Sequence, residues 1–407
     1  MQTPWENRFS QRTQRMKSSA IRELLKIAEQ PDIISFAGGL PAPDLFPVDE
    51  FKAACISVLE NYGTQALQYG STDGYLPLRE MISRYTIRLG INLNPGNILI
   101  TSGSQQALDL LGMVLINPGD HILVESPTYL GALQAWNTYG AEYIPVRCDE
   151  YGMCTDELEE ALRKGPKFIY VLPNFQNPTG VTLSLERRKK LVELADRYGV
   201  PIIEDDAYGR LRYEGQDLPT VQVIDAKKQE QMSYYNGNVI YVSSFSKILA
   251  PGLRLAWIIA PPEVIAKLIT AKQGVDLHTS TFNQIVAYEV SQQGFLTRHI
   301  LKIQETYRVR RDAMLESLEE QMPESVSWTH PQGGLFLWME VPSQIDTIDL
   351  LGKALDQKVA FVPGISFYAQ GGITNTMRLN YSCCKPEVIN EGICRIATLF
   401  KKELVNK

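Results

Sequence analysis

The chain has 407 residues, 44% of them hydrophobic and 21% charged, an ordinary make-up for a globular protein. That length suits a large core with a smaller one beside it. A formal net charge of -6 with no basic block argues against a nucleic-acid surface, and no apolar run reaches membrane-spanning length.

The N-terminus, MQTPWENRFSQRTQRMKSSAIRELLK, lacks the apolar stretch of a signal peptide. Glu6, Glu23 and its run into a helix also speak against a transit peptide. SSAIRELLKIAEQPDIISFAGGLPAPDLFP then reads as a short helix, a brief extended piece and a Gly/Pro loop. From Phe51 onward helices and strands alternate. FKAACISVLENYG and GYLPLREMISRYTIRLG predict helices, NILITSG a strand and SQQALDLLGMVLI a helix. HILVESP and EYIPVRC are strands on either side of the helix TYLGALQAWNTYG. TDELEEALRKG predicts a helix opened by a capping box between Asp156 and Glu159. The strand KFIYVLPNF, the helix SLERRKKLVELADRYG and the strands VPIIEDDAY, NVIYVSSFSK and LAWIIAP follow.

Short apolar strands alternating with amphipathic helices predict an α/β fold, with a mostly parallel mixed sheet flanked by helices. The tail differs. TFNQIVAYEVSQQGFLTRHILKIQETYRVRRDAMLESLEEQM is largely helical, and GGLFLWMEVP, VAFVPG and TMRLNYS are strands of a second unit closed by PEVINEGICRIATLFKKEL. The expected division is a large domain over 46–314 and a smaller α+β domain from 1–45 and 315–407. The six cysteines (Cys55, Cys148, Cys154, Cys383, Cys384, Cys394) form no CxxC pair, and adjacent Cys383 and Cys384 suit a mutual disulfide poorly. Reduced thiols and a cytoplasmic location are expected. His121, His278, His299 and His330 are scattered and predict no metal site.

In such sheets ligands bind beyond the carboxyl ends of the strands, so the polar residues there matter most. Ser102-Gly103-Ser104-Gln105 follows NILIT and opens a helix, whose free amides suit an anion; an ordinary helix cap accounts for the same residues. Asn174 to Gly180 follows FIYVLP and is also good turn chemistry. Asp205-Asp206-Ala207-Tyr208 closes VPIIE; two acids there are either solvated or need a cation. Ser243 to Lys247 closes VIYV, where a lysine alone is unremarkable. Gathered on one edge, these parts share an explanation. A lysine nucleophile needs a lowered pKa, serines with Arg254 and a helix N-terminus suit a dianion, and an aspartate can hold a pyridinium proton. One cofactor answers to all of them, pyridoxal 5′-phosphate.

Asn177-Pro178-Thr179-Gly180, Asp205-x-x-Tyr208, Ser244-x-Ser246-Lys247 and Gly252-x-Arg254, in this order and at these separations, resemble the fold type I pyridoxal-phosphate aminotransferases of classes I and II. The resemblance covers nearly the whole chain. IRELLK, ISFAGGLPAPDLFP, LQYGSTDGY, GSQQALDL, FQNPTG and AKQGVDLHT are similar to the 2-aminoadipate aminotransferase (LysN-type) group. That group overlaps with broad-range branched-chain and aromatic aminotransferases.

The resemblance implies a role for each residue. Lys247 condenses with the cofactor and shuttles the proton, Asp205 pairs with the pyridine nitrogen, and Tyr208 and Asn177 hydrogen-bond the phenolic oxygen. Tyr129 stacks on the ring, and Ser104, Gln105, Ser244, Ser246 and Arg254 hold the phosphate. Tyr69 reaches the phosphate of the other subunit, which implies a homodimer. Arg378 clamps the substrate carboxylate with Asn177, because a planar fork suits a carboxylate. Gly38 and Gly39 let their segment pass close to the substrate. An N-terminal helix covers the site as a lid, with Ser19 and Arg22 reaching the distal end of the substrate; a plain surface role for Arg22 stays open. One departure is Ala256, where the family often has glycine.

The expected reaction moves an amino group from an L-amino acid, 2-aminoadipate or a broad range including branched-chain and aromatic donors, to 2-oxoglutarate. Rival readings are a branched-chain or aromatic aminotransferase without acidic preference, and a pyridoxal-phosphate C–S β-lyase. A regulator that joins such a domain to a DNA reader is disfavoured, because the fold begins within the first few tens of residues and the chain is acidic.

Overall fold

The computed structural model describes residues 4–16, 30–87, 89–229 and 234–405. The strands in chain order begin with β1 (Ile34–Ser35), β2 (Ile98–Thr101), β3 (His121–Ser126), β4 (Glu142–Asp149) and β5 (Gly152–Met153). Next come β6 (Ile169–Val171), β7 (Ile202–Asp205), β8 (Val239–Ser244) and β9 (Ala256–Ile259). The last are β10 (Ser327–Trp328), β11 (Phe336–Glu340), β12 (Val359–Ala360), β13 (Val362–Pro363) and β14 (Thr376–Asn380).

Eight strands form the main sheet in the order β2-β9-β8-β7-β6-β3-β4-β5. The run from β8 to β4 is parallel, while β9 lies antiparallel to both its neighbours and β5 antiparallel to β4. The sheet is thus the mostly parallel, mixed one that the alternation predicted. Its central strands read as unbroken apolar runs because both faces are covered. Ile169, Val171 and Ile202 enter one core, with the helices Val48–Ala66, Leu185–Tyr198 and Thr281–Ser291. Tyr170, Leu172 and Ile203 enter the other, against Leu108 and Leu111 of helix Ser104–Leu115, Trp136 of helix Leu130–Asn137 and Leu268 of helix Pro262–Val275.

A third apolar core gathers around the antiparallel sheet β10-β11-β14-β13. Leu337, Met339, Met377 and Leu379 supply its sheet face, packed by Leu351 of helix Thr347–Asp356, Ile393 of helix Pro386–Val405 and Met314 of the long helix Phe295–Gln321. The stretch VAFVPG is split between two sheets. β12 pairs in parallel with β1, and β13 pairs with β14. Phe36, just after β1, therefore belongs to this core although it is remote in sequence.

Local chemistry sets the helix ends. Ser184 caps Leu185–Tyr198 by accepting from the Arg187 amide, and Gly199 ends it at φ 64°. The capping box expected for Thr155–Arg163 is absent. Its N-cap is Cys154, without a side-chain cap bond. Asp156 already lies inside the first turn, and Glu159 accepts from Tyr198 Oη at 2.8 Å instead. The helical tail breaks at Gln293 and Gly294, both at positive φ, into Thr281–Ser291 and Phe295–Gln321. Among the described residues no helix is long and apolar enough to cross a membrane.

Candidate active site

The carboxyl ends of β2, β7 and β8 open into one cavity of about 420 Å³, closed from the other side by Gly39 and by Arg378 on β14. The residues expected to bind cofactor or substrate line it, apart from Gly38, Tyr69, Ser19 and Arg22.

Ser104 and Gln105 begin the helix that follows β2. Gly103 precedes them at φ +90°, and a Cβ there would stand 2.3 Å from the Arg254 guanidinium. Glycine here therefore lets Arg254 pack against the residue that opens this helix. Gln105 Nε2 donates to the Gly131 carbonyl at 2.9 Å, which ties the turn to the helix behind Tyr129. Ser244 Oγ lies 2.8 Å from Ser246 Oγ and accepts from the Ser246 amide at 3.0 Å, so the end of β8 folds back as a hydroxyl-lined turn. Ala256 is fully buried and faces Ser244 across the β8–β9 ladder, where its methyl group is accommodated.

Lys247 Nζ donates to the Gly39 carbonyl at 2.6 Å. Burial, reinforced by the positive charges of Arg378 and Arg254, lowers its pKa to about 8. Asp205 is buried at the end of β7. Its Oδ2 accepts from Tyr170 Oη at 2.8 Å, and its Oδ1 has no protein partner. Burial pushes this carboxyl up to about 7. Tyr208 and Tyr129, both lining the cavity, have phenols pushed up by burial and so stay neutral donors. Tyr208 packs edge-on against Phe336, with centroids 5.7 Å apart.

Arg378 is almost wholly buried. Its Nη1 donates to Asn177 Oδ1 at 2.8 Å and its Nη2 to the Ala37 carbonyl at 2.7 Å, while Nε is left unpartnered. The guanidinium lies 4.2 Å over the Phe336 ring, and burial lowers its pKa to about 10, still a cation at neutral pH.

Among the described residues Gly38 does not line the cavity, and neither does Tyr69. Tyr69 is 79% exposed and sits edge-on to His278. Ser19 and Arg22, with the helix expected to cover the site, lie outside the described residues.

The structure also adds residues that the sequence reading missed. Tyr170 supports Asp205, the rings of Phe336 and Phe367 both lie against the Arg378 guanidinium, and buried Glu125 accepts from the Leu172 amide at 2.9 Å. Burial pushes Glu125 to about 8. A parity signal for Tyr170 existed, since Tyr170 pairs with Ile203 and so shares a sheet face with Asp205. Using it required knowing that β6 and β7 are neighbours.

The donor set fits pyridoxal phosphate. The unpartnered Asp205 Oδ1 suits a protonated ring nitrogen, Lys247 is an amine of lowered pKa, and the glycine-opened helix start beside Arg254 suits a phosphate. The comparisons with known proteins agree. Residues 32–396 match the family model for aminotransferase class I and II. The chain belongs to that family, and it is a pyridoxal-phosphate-dependent aminotransferase. It is 48% identical to aromatic-amino-acid aminotransferase 1 of Thermococcus litoralis, over 98% of this chain and 95% of that one. The multiple substrate aminotransferase of Thermococcus profundus superposes with TM-score 0.93 at 45% identity, covering 100% of both chains. The α-aminoadipate aminotransferase LysN of Thermus thermophilus, solved with N-(5′-phosphopyridoxyl)-L-leucine, superposes with TM-score 0.92 at 41% identity, again over 100% of both chains.

Proposed function

We propose that this enzyme moves the amino group of a broad set of L-amino acids, including 2-aminoadipate, aromatic and branched-chain donors, to 2-oxoglutarate. The observation that carries the reading is the pairing of Arg378 with Asn177 at 2.8 Å in the same cavity as Lys247. Every such donor and acceptor shares an α-carboxylate, and a buried planar guanidinium offers it a bidentate partner. Substrates then differ only beyond Cα. The names of the similar proteins point to the same breadth, with an aromatic, a multiple-substrate and an aminoadipate enzyme among them.

Pyridoxal phosphate bound there would supply an electron sink for the pair left on Cα when its proton departs. The chain's own residues do the rest. Ser104, Gln105, Ser244, Ser246 and Arg254 would hold the phosphate, and Tyr129 would pack on the ring. Asp205 would keep a proton on the ring nitrogen, and Tyr208 with Asn177 would donate to the phenolic oxygen. Lys247 would take up and return the proton that leaves the substrate Cα. Gly39 and Arg378 orient the carboxylate, and Ser19 and Arg22 address the far end of the side chain. We assign residues 46–314 to the cofactor-binding domain and 1–45 with 315–407 to the smaller one. The working unit is a cytoplasmic homodimer whose sites are completed by Tyr69 of the partner subunit.

The test is a visible-absorbance titration of the holoenzyme with 2-aminoadipate, glutamate, leucine and phenylalanine, with assay of the released 2-oxo acids. The expected result is bleaching of the cofactor band by several donors and its recovery on adding 2-oxoglutarate. Response to a single donor overturns the breadth, and failure of 2-oxoglutarate to restore the band overturns the acceptor. The aromatic relative supports a second reading, a preference for aromatic over acidic donors, which the same titration ranks.

A further inference from the structure

Asp205 has two oxygens in different surroundings. Oδ1 is buried, without a partner, on a residue that lines the cavity; Oδ2 accepts from Tyr170 Oη at 2.8 Å. Tyr170 itself is fully buried on β6. It pairs with Ile203, two residues before Asp205, so its side chain shares a sheet face with the carboxylate. The phenol ring is pinned edge-on by Trp136 at 4.9 Å, and the indole is fixed in turn by its own bond to the Leu108 carbonyl at 2.9 Å. The hydroxyl thus comes from a ring that is held in place.

We propose that Tyr170 is a positioning residue for the cofactor, which fixes the rotation of Asp205 and favours its carboxylate form so that Oδ1 can hold the ring-nitrogen proton. This inference rests on the aminotransferase reading of the site and deepens it. Asp205 needs the help. Burial opposes its charge, the neighbouring Asp206 adds repulsion, and the phenols of Tyr129 and Tyr208 that face it carry no compensating positive charge. Among the contributions acting on this carboxyl, the bond from Tyr170 is the one that favours the ionised form. Tyr170 stays protonated at every working pH, because burial and Asp205 both push its own acidity away, so it acts as a fixed donor. A residue that only filled space here would need no hydroxyl.

The test compares wild type, Tyr170→Phe and a chain carrying 3,5-difluorotyrosine at position 170, a stronger donor of nearly the same shape. Two quantities are read on the holoenzyme, the dissociation constant of pyridoxal phosphate and the pH midpoint at which the visible cofactor spectrum changes on the acid side. Loss of a hydrogen bond to a charged group predicts cofactor affinity weaker by about ten- to hundredfold in Tyr170→Phe. Losing a bond that favours the ionised form raises the Asp205 pKa, so the acid midpoint moves up, by about one unit. The fluorinated chain moves it down, and its reading stands even where the phenylalanine variant does not fold. In an Asp205→Asn background both effects of Tyr170→Phe disappear. An unmoved midpoint in the fluorinated chain, or equal losses of affinity with and without Asp205, overturns the proposal. Wild type that binds no pyridoxal phosphate overturns the reading of the whole site instead.

Discussion

At the scale of single residues, Lys247 and Arg378 make opposite demands on burial. The lysine must lose its proton to react, and burial beside two guanidinium groups lowers its pKa to about 8. Capture of pyridoxal phosphate by cofactor-depleted enzyme is therefore expected to accelerate with a midpoint near pH 8. A midpoint near the ordinary lysine value of 10.5 would show that the amine is solvated. Lys247→Ala should lower kcat by about ten-thousandfold or more, yet retain cofactor through the phosphate contacts. The arginine must instead keep its charge, and it does so with a pKa near 10. Arg378→Lys loses the fork that meets Asn177 and the substrate together. It should cost about 2 kcal/mol, roughly thirtyfold in kcat/KM for every donor, with cofactor affinity unchanged. A loss confined to one donor would remove Arg378 from carboxylate binding. Lys247, Asp205 and Asn177 could be singled out from side-chain type and their place at strand ends, whereas Arg378 was marked by the family resemblance alone. Tyr170, Phe336 and Glu125 were legible in neither way, because what they do depends on which strands are neighbours.

At the scale of elements, apolar runs located the strands, and the polar residues that close those runs located the site. The pattern failed where long-range pairing decides the outcome. VAFVPG looks like one strand but serves two sheets, and β1 pairs with β12 across most of the chain. It failed also at the start of Thr155–Arg163, where a plausible capping pair lay inside the helix. The Asn177 loop shows how an element carries precision to the site. Gly180, at φ +72°, closes this loop, and a Cβ there would lie 2.4 Å from the Phe336 carbonyl of β11. β11 pairs with β14, which carries Arg378. Gly180→Ala should therefore cost about 1–3 kcal/mol of stability through strain and the forced shift. By displacing Asn177 from Arg378 it should also raise KM for amino donors. A lowered Tm with unchanged KM would show that the loop absorbs the change without moving Asn177.

At the scale of the whole molecule, the cavity within one chain lacks a contribution from Tyr69. The residue is 79% exposed and held edge-on to His278, with Leu67 and Leu277 exposed as well. An outward aromatic among exposed apolar side chains suits a self-complementary contact between two copies. The homodimer proposed above makes a quantitative demand. A Lys247→Ala chain keeps its Tyr69 but has no working site of its own. A Tyr69→Ala chain keeps Lys247 but cannot complete its partner's site. In a hybrid dimer one site then carries both defects, and the other is assembled wholly from native residues. Random reassociation of equal amounts makes half the dimers hybrid, so activity should recover to about a quarter of the wild-type value. Each variant alone should remain well below that level. If each chain instead supplies all of its own site, mixing gives only the average of the two variants, and Tyr69 has no part in the neighbouring subunit's cofactor site.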